Sequence, residues 1–181
     1  MESLRKIFWA FIFLFFTITL NNGATKIVLL PLFVGYLMIL INVKKLSSFS
    51  KHLAQVDTPL IILSVLSALS FLLSLSGSDI SIVNIVGSIV STGLYLWMLY
   101  QVLYGLNDIA RVFGFEFAGR QFTDLFPWLA GTQIIAMLFL FVFPLFALIA
   151  TLIELAVHIV FLVRLARFSN LNFILPIASE V

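Results

Sequence analysis

Long apolar runs, interrupted only by short clusters of charged residues, most constrain what this chain can fold into. Hydrophobic residues make up 62% of its 181 residues and charged residues only 10%, whereas soluble domains carry roughly 25% charged residues. A soluble core of this size needs a charged shell that ten basic and eight acidic side chains cannot supply. Because helices satisfy their own backbone hydrogen bonds in lipid, the composition predicts an all-α membrane protein.

Six segments approach the roughly 20 apolar residues that a membrane-spanning helix needs. They are residues 7–25, 27–43, 59–75, 80–104, 127–143 and 146–163. Together they predict a single transmembrane domain, a bundle of six helices that occupies residues 1–181. The last two segments come from one nearly apolar stretch, Leu125–Phe168, which as one helix would be about 66 Å long. That is about twice the hydrocarbon thickness of a bilayer, so the chain is expected to fold back near Pro144.

The first segment allows two interpretations. Its apolar core, Ile7–Leu20, follows Arg5 and Lys6 and has the length of a signal-peptide core. However, Asn22-Gly23-Ala24 matches a cleavage site poorly, and a helix continued to Thr25 would be about 28 Å long. A retained first span is therefore favoured over a cleaved signal, and the other spans are the same in either case.

The basic residues predict the orientation of the bundle. With six spans, nine of the ten Lys and Arg residues fall on one side of the membrane, and Lys26 alone lies opposite. The nine are Arg5, Lys6, Lys44, Lys45, Lys51, Arg111, Arg120, Arg164 and Arg167. Because positive residues concentrate in cytoplasmic loops, both termini are expected in the cytoplasm and the protein in the plasma membrane. Basic residues placed in this way at span ends give no reason to expect nucleic-acid binding.

Two charged stretches are predicted to lie at the membrane surface. In Lys44–Asp57, apolar residues recur at helical spacing between polar ones, which is typical of a short amphipathic helix on the bilayer. Its basic residues, Lys44, Lys45 and Lys51, either bind anionic lipids or belong to a solvated loop whose apolar face rests on lipid. The second stretch, Leu106–Asp124, is expected to form another interfacial loop.

Glu154 and His158 are the strongest candidates for a functional site. They lie four residues apart in the sixth span, on one helix face, and ionisable groups at that depth often mark proton or solute paths. Counted outward from Pro144, Gln133 of the fifth span reaches nearly the depth of His158, which predicts a Glu–His–Gln cluster. The alternative is structural: burial favours uncharged forms, and a protonated Glu154 then hydrogen-bonds His158 or a neighbouring helix to fix packing.

Small polar residues follow one face of the third span and one face of the fourth. They are Ser64, Ser67, Ser70 and Ser74 on the third, and Asn84, Ser88, Ser91 and Tyr95 on the fourth. Such residues mostly let helices approach closely and hydrogen-bond across the seam. The alternative is that Ser67, Ser70, Ser74, Asn84, Ser88 and Ser91 line a hydrophilic pocket or pore.

Several classes of chemistry are excluded by what the sequence lacks. There is no Cys, which rules out disulfides and thiolate ligands, and no zinc-protease, nucleophile-elbow or phosphate-loop motif is present. One Glu and one His are too few for a metal site, and no cofactor is expected. The leading interpretation is a small-solute transporter or the membrane subunit of one. Alternatives are a membrane-embedded partner or regulatory subunit, which binds another protein or a second copy, and, third, an intramembrane enzyme.

Overall fold

The helices are described in a computed structural model that covers residues 2–16, 19–21, 26–28, 31–75, 81–142 and 144–171. In chain order they are α1 (Glu2–Phe15), α2 (Leu32–Leu46), α3 (Lys51–Ala54), α4 (Asp57–Leu75), α5 (Ser81–Val112), α6 (Glu116–Thr123), α7 (Phe126–Val142) and α8 (Pro144–Ser169). Two three-residue strands, β1 (Thr19–Asn21) and β2 (Lys26–Val28), lie between α1 and α2. The expected helical class is confirmed.

Four segments of this structure are long and apolar enough to cross a membrane, by length and composition. They are Leu32–Phe49, Gly87–Val112, Glu116–Phe139 and Leu148–Ser169. The apolar part of α4, Asp57–Leu73, is shorter. Contacts group the chain into an N-terminal unit, Glu2–Val102, and a C-terminal unit that starts at Leu103.

The first helix is shorter than the predicted span of residues 7–25. α1 ends at Phe15, and its 14 residues extend only about 21 Å. β1 and β2 then pair antiparallel, with Asn21 opposite Lys26. The sequence between them contains Asn22-Gly23, a strong hairpin signal. The second span also begins later than predicted, at Leu32, directly after Pro31, whose ring is tolerated at a helix start.

In the N-terminal unit, α2 packs against both α1 and α4. The inner face of α1 repeats at helical spacing and is fully or almost fully buried. Its members are Leu4, Ile7, Ala10, Phe11 and Leu14. A Cβ atom at Gly35 of α2 would lie 2.8 Å from Leu14 Cδ2, so the missing side chain lets α1 and α2 approach closely.

The Lys44–Asp57 segment, predicted to be one short surface helix, is helical but interrupted. α2 continues to Leu46, a 3₁₀ turn covers Ser47–Phe49, and α3 starts after Ser50, whose Oγ accepts hydrogen bonds from two backbone N–H groups of α3. Leu46, Leu53 and Val56 of its apolar face are at most 4% exposed, and Phe49 is partly exposed. Lys44, Lys45 and Lys51 are exposed, as the prediction requires.

The predicted interfacial loop, Leu106–Asp124, is largely helical and partly buried. α5 runs on to Val112, and Gly114, with a φ of 78°, makes the turn into α6. In the C-terminal unit α6 packs on α7 and α8, and α7 packs along α8. α8 begins at Pro144, directly beyond the end of α7 at Val142, where the fold-back was predicted.

Candidate functional site

Glu154 and His158 lie on the protein-facing side of α8. That side also carries Ala150, Phe161 and Leu165, which are buried, whereas residues such as Leu152 and Ile159 on the other side are exposed. His158 is only 7% exposed and Glu154 is partly buried. The pair therefore faces protein and not the outer surface of the helix, in an otherwise apolar stretch.

A hydrogen bond within α8 fixes the His158 ring. Its Nδ1 lies 2.8 Å from the backbone carbonyl oxygen of Glu154. A carbonyl oxygen only accepts, so Nδ1 carries a proton, and in the neutral ring the lone pair is on Nε2. The hydrogen bond described within the pair therefore runs to the backbone carbonyl of Glu154 and not to its carboxyl group.

Gln133 lies on α7 at a partly buried position next to the buried Thr132. Its side chain is not hydrogen-bonded to Glu154 or His158 among the residues that the structure describes. Two members of the predicted Glu–His–Gln cluster therefore share a face of α8, while the third is on the neighbouring helix and is not hydrogen-bonded to them.

The serines of α4 satisfy their hydroxyl groups locally. Ser64 Oγ donates to the Leu60 carbonyl at 2.7 Å, and Ser67 Oγ donates to the Leu63 carbonyl at 2.7 Å. Both hydrogen bonds form within α4, so these two hydroxyl protons do not bond to a neighbouring helix. Of the other stripe residues, Ser70 and Ser88 are exposed and Ser91 is partly exposed. The side chains of Ser74 and Asn84 lie outside the described residues.

A second polar cluster, in the N-terminal unit, is absent from the sequence-based prediction. His52 Nδ1 lies 2.8 Å from Gln101 Oε1, and Gln101 Nε2 donates to Gln55 Oε1 at 3.0 Å. The ring of Tyr100 packs edge-on against His52, with centroids 5.9 Å apart. Gln101, at 6% exposure, is the buried centre of this cluster. An amide side chain within an apolar stretch of α5 is the signal that could have drawn attention to it.

We expect Gln101→Leu to destabilise the protein by about 0.5–1.5 kcal/mol, because it removes the hydrogen bonds that the buried Gln101 makes with the partly buried His52 and the exposed Gln55. Gln133→Leu is the matched control, since it removes a partly buried amide that no described hydrogen bond holds. Thermal unfolding in one detergent should show a clearly lower midpoint for Gln101→Leu. Equal midpoints for the two variants would contradict the role of the cluster.

Among the described residues, no group of three or more His, Cys, Asp or Glu side chains could hold a metal ion. Comparison with known proteins gives no further direction: no protein-family model matches the chain, and no curated protein or solved structure is detectably similar to it.

Proposed function

We propose that this chain is a polytopic protein of the plasma membrane in which Glu154 and His158 handle a proton or a small polar solute. It would act as a transporter or as the membrane subunit of one. One observation carries the proposal: two ionisable side chains lie on the protein-facing side of an otherwise apolar helix, with His158 at 7% exposure. Groups of this kind are costly in a membrane and are commonly kept for transport or proton transfer.

The membrane location is supported by the four apolar helical segments and by the distribution of charge. We infer six crossings, with both termini in the cytoplasm, because this arrangement puts nine of ten basic residues on one side. α1 is the weakest of the six. At about 21 Å it needs the snorkelling side chains of Arg5 and Lys6, or a locally thinner bilayer, to cross.

The geometry of His158 suits proton transfer. Because Nδ1 is held by the Glu154 carbonyl, the ring keeps one orientation in both protonation states and accepts or releases a proton at Nε2. The carboxyl group of Glu154 lies one turn away on the same face of α8 and supplies a second proton-exchanging group. A proton or a solute with a hydrogen-bond donor could therefore pass between two groups within one helical turn.

We expect Glu154→Gln and His158→Ala each to reduce transport at least about tenfold, as removal of an essential acid or base does. The assay is proton flux after a pH jump, measured with a trapped pH-sensitive dye in liposomes that contain the purified chain. Glu116→Gln is the matched control, because Glu116 is an exposed carboxylate in the first turn of α6. Wild-type flux in both site variants would rule out this mechanism.

The open face of α5 favours a second candidate function, a membrane-embedded partner subunit. A Cβ atom built at Gly93 meets no atom within 4 Å, and on the same face Ile89 and Trp97 are 51% and 44% exposed. Small residues on such a face allow another transmembrane helix to approach closely. Gly93→Leu would then abolish a complex that is captured by cross-linking in native membranes. A complex that survives this substitution would contradict the partner role of this face.

A further inference from the structure

An apolar cleft, distinct from the Glu154–His158 pair, runs along one side of the α7–α8 hairpin. Its volume is about 420 Å³. The floor is made of small side chains, Gly131, Thr132 and Ala150, and a Cβ atom built at Gly131 meets nothing within 4 Å. Large exposed side chains form the walls, among them Trp128 at 66% exposure and Ile153 at 52%. The gap above Gly131 is therefore real space between the two helices.

The chemistry of the lining favours a hydrocarbon occupant. Thr132 contributes a hydroxyl group, but its Oγ1 donates to the Trp128 carbonyl at 2.8 Å, within its own helix. Every other residue of the lining has an apolar side chain, apart from the indole N–H of Trp128 at one end. A polar solute would gain few hydrogen bonds here and would lose those it makes with water.

The length of the cleft fits a single acyl chain. From Pro127 to Phe139 the cleft follows α7 for about 18 Å. One leaflet of the hydrocarbon core is about 15 Å thick, which is close to this length.

The charges at one end of the hairpin favour a phospholipid. The first turn of α7, which carries Trp128, and the last turns of α8 lie at the same end, where Phe122 of α6 contacts Phe168. Arg120 and Arg167 are exposed in the elements that meet there, and Arg164 is partly buried. The acidic residues of the same stretch are Glu116 and Asp124, so this end, with three arginines and two carboxylates, carries a net charge of +1. Arginine pairs with phosphate, and tryptophan prefers the headgroup region.

We propose that the α7–α8 cleft holds one acyl chain of an anionic phospholipid, whose headgroup lies at the basic end of the hairpin beside Trp128. The proposal rests on the membrane location inferred above and is independent of the proton pathway. The lipid would fill the space between the two helices and complete the packing of the hairpin.

The test uses the full chain, delipidated in mild detergent and titrated with palmitoyl-oleoyl phosphatidylglycerol, with bound lipids counted by native mass spectrometry. Gly131→Leu places a side chain in the empty space of the cleft and should lower lipid retention at least fivefold. Ala136→Leu is the matched control, because Ala136 is a small, partly exposed residue of the same helix that does not line the cleft. Thr132→Val should bind like the wild type, since the hydroxyl is already used within α7.

Binding of different lipids to the wild-type chain is a second test, and it does not depend on whether Gly131→Leu folds. Single-chain lysophosphatidylglycerol should bind within about threefold of the two-chain lipid, and the chain-free headgroup should not bind. Equal lipid retention by Gly131→Leu and Ala136→Leu, or at least tenfold weaker binding of the single-chain lipid, would overturn the proposal, as would a second protein copy bound in the cleft. Glu154→Gln should keep the lipid, so a failure of the lipid site and a failure of the proton pathway give different results.

Discussion

Phe122→Ala should lower the free energy of unfolding by about 3–5 kcal/mol, the usual cost of removing a buried phenylalanine ring. Phe122 is 1% exposed. Its ring packs edge-on against Phe168 at a centroid distance of 5.3 Å and against Phe161 at 6.4 Å. The ring thus attaches α6 to α8, and its loss leaves a cavity between the two helices.

Phe117→Ala is the control for this prediction, because it removes the same side chain from the same helix. Phe117 is 78% exposed, on the side of α6 opposite Phe122. Its removal should change the free energy of unfolding by less than about 0.5 kcal/mol. Both variants are compared by thermal and denaturant unfolding in one detergent. Similar losses of stability in the two would show that α6 is not anchored through Phe122.

Gly119→Ala should destabilise the protein by about 1–3 kcal/mol, because there is no room for the added methyl group. Its Cβ would lie 2.5 Å from Asn107 Oδ1, 2.8 Å from the Ala110 Cβ and 3.2 Å from the Asn107 Cα. The Ala110 Cβ and the Asn107 Cα cannot rotate out of the way, because one is a methyl group next to the backbone of α5 and the other is part of that backbone. α6 and the end of α5 must therefore separate.

The matched substitution at Gly131 should have the opposite sign. Gly131 is also inside a helix, but a Cβ atom there meets nothing within 4 Å. Gly131→Ala therefore gains only helix propensity and should stabilise the protein by about 0.5–1 kcal/mol. Denaturant unfolding of the two alanine variants gives the comparison. If Gly119→Ala were as stable as Gly131→Ala, α6 would not be held against α5 as tightly as the structure shows.

The fold-back at Pro144 could be predicted because length alone requires it: an apolar run of 44 residues is too long for one crossing. The end of α1 at Phe15 cannot be predicted from hydropathy, because hydropathy does not distinguish a helix from an apolar hairpin. The β-branched residues on both sides of Asn22-Gly23 are the sequence signal that favours a hairpin there.

The remaining differences arise from tertiary contacts. The helical spacing of Leu46, Leu53 and Val56 predicts an apolar face, and all three are buried in the protein. The sequence does not show what this face packs against, because an apolar face that packs on protein has the same pattern as one that rests on lipid. His52 and Gln101 are 49 positions apart, and only the folded N-terminal unit brings them together. By contrast, Glu154 and His158 share a helix face by spacing alone, and the structure does place them on one side of α8.

The polar groups that bond to their own helix have a consequence for biogenesis. Ser64, Ser67 and Thr132 donate to carbonyl oxygens of the preceding turn, and so does Nδ1 of His158. On the membrane location proposed above, each of these helices would enter the bilayer with these protons already paired, before any neighbouring helix has arrived. The segments of the chain would then be inserted one after another, and helix association would be a later step that these groups do not control.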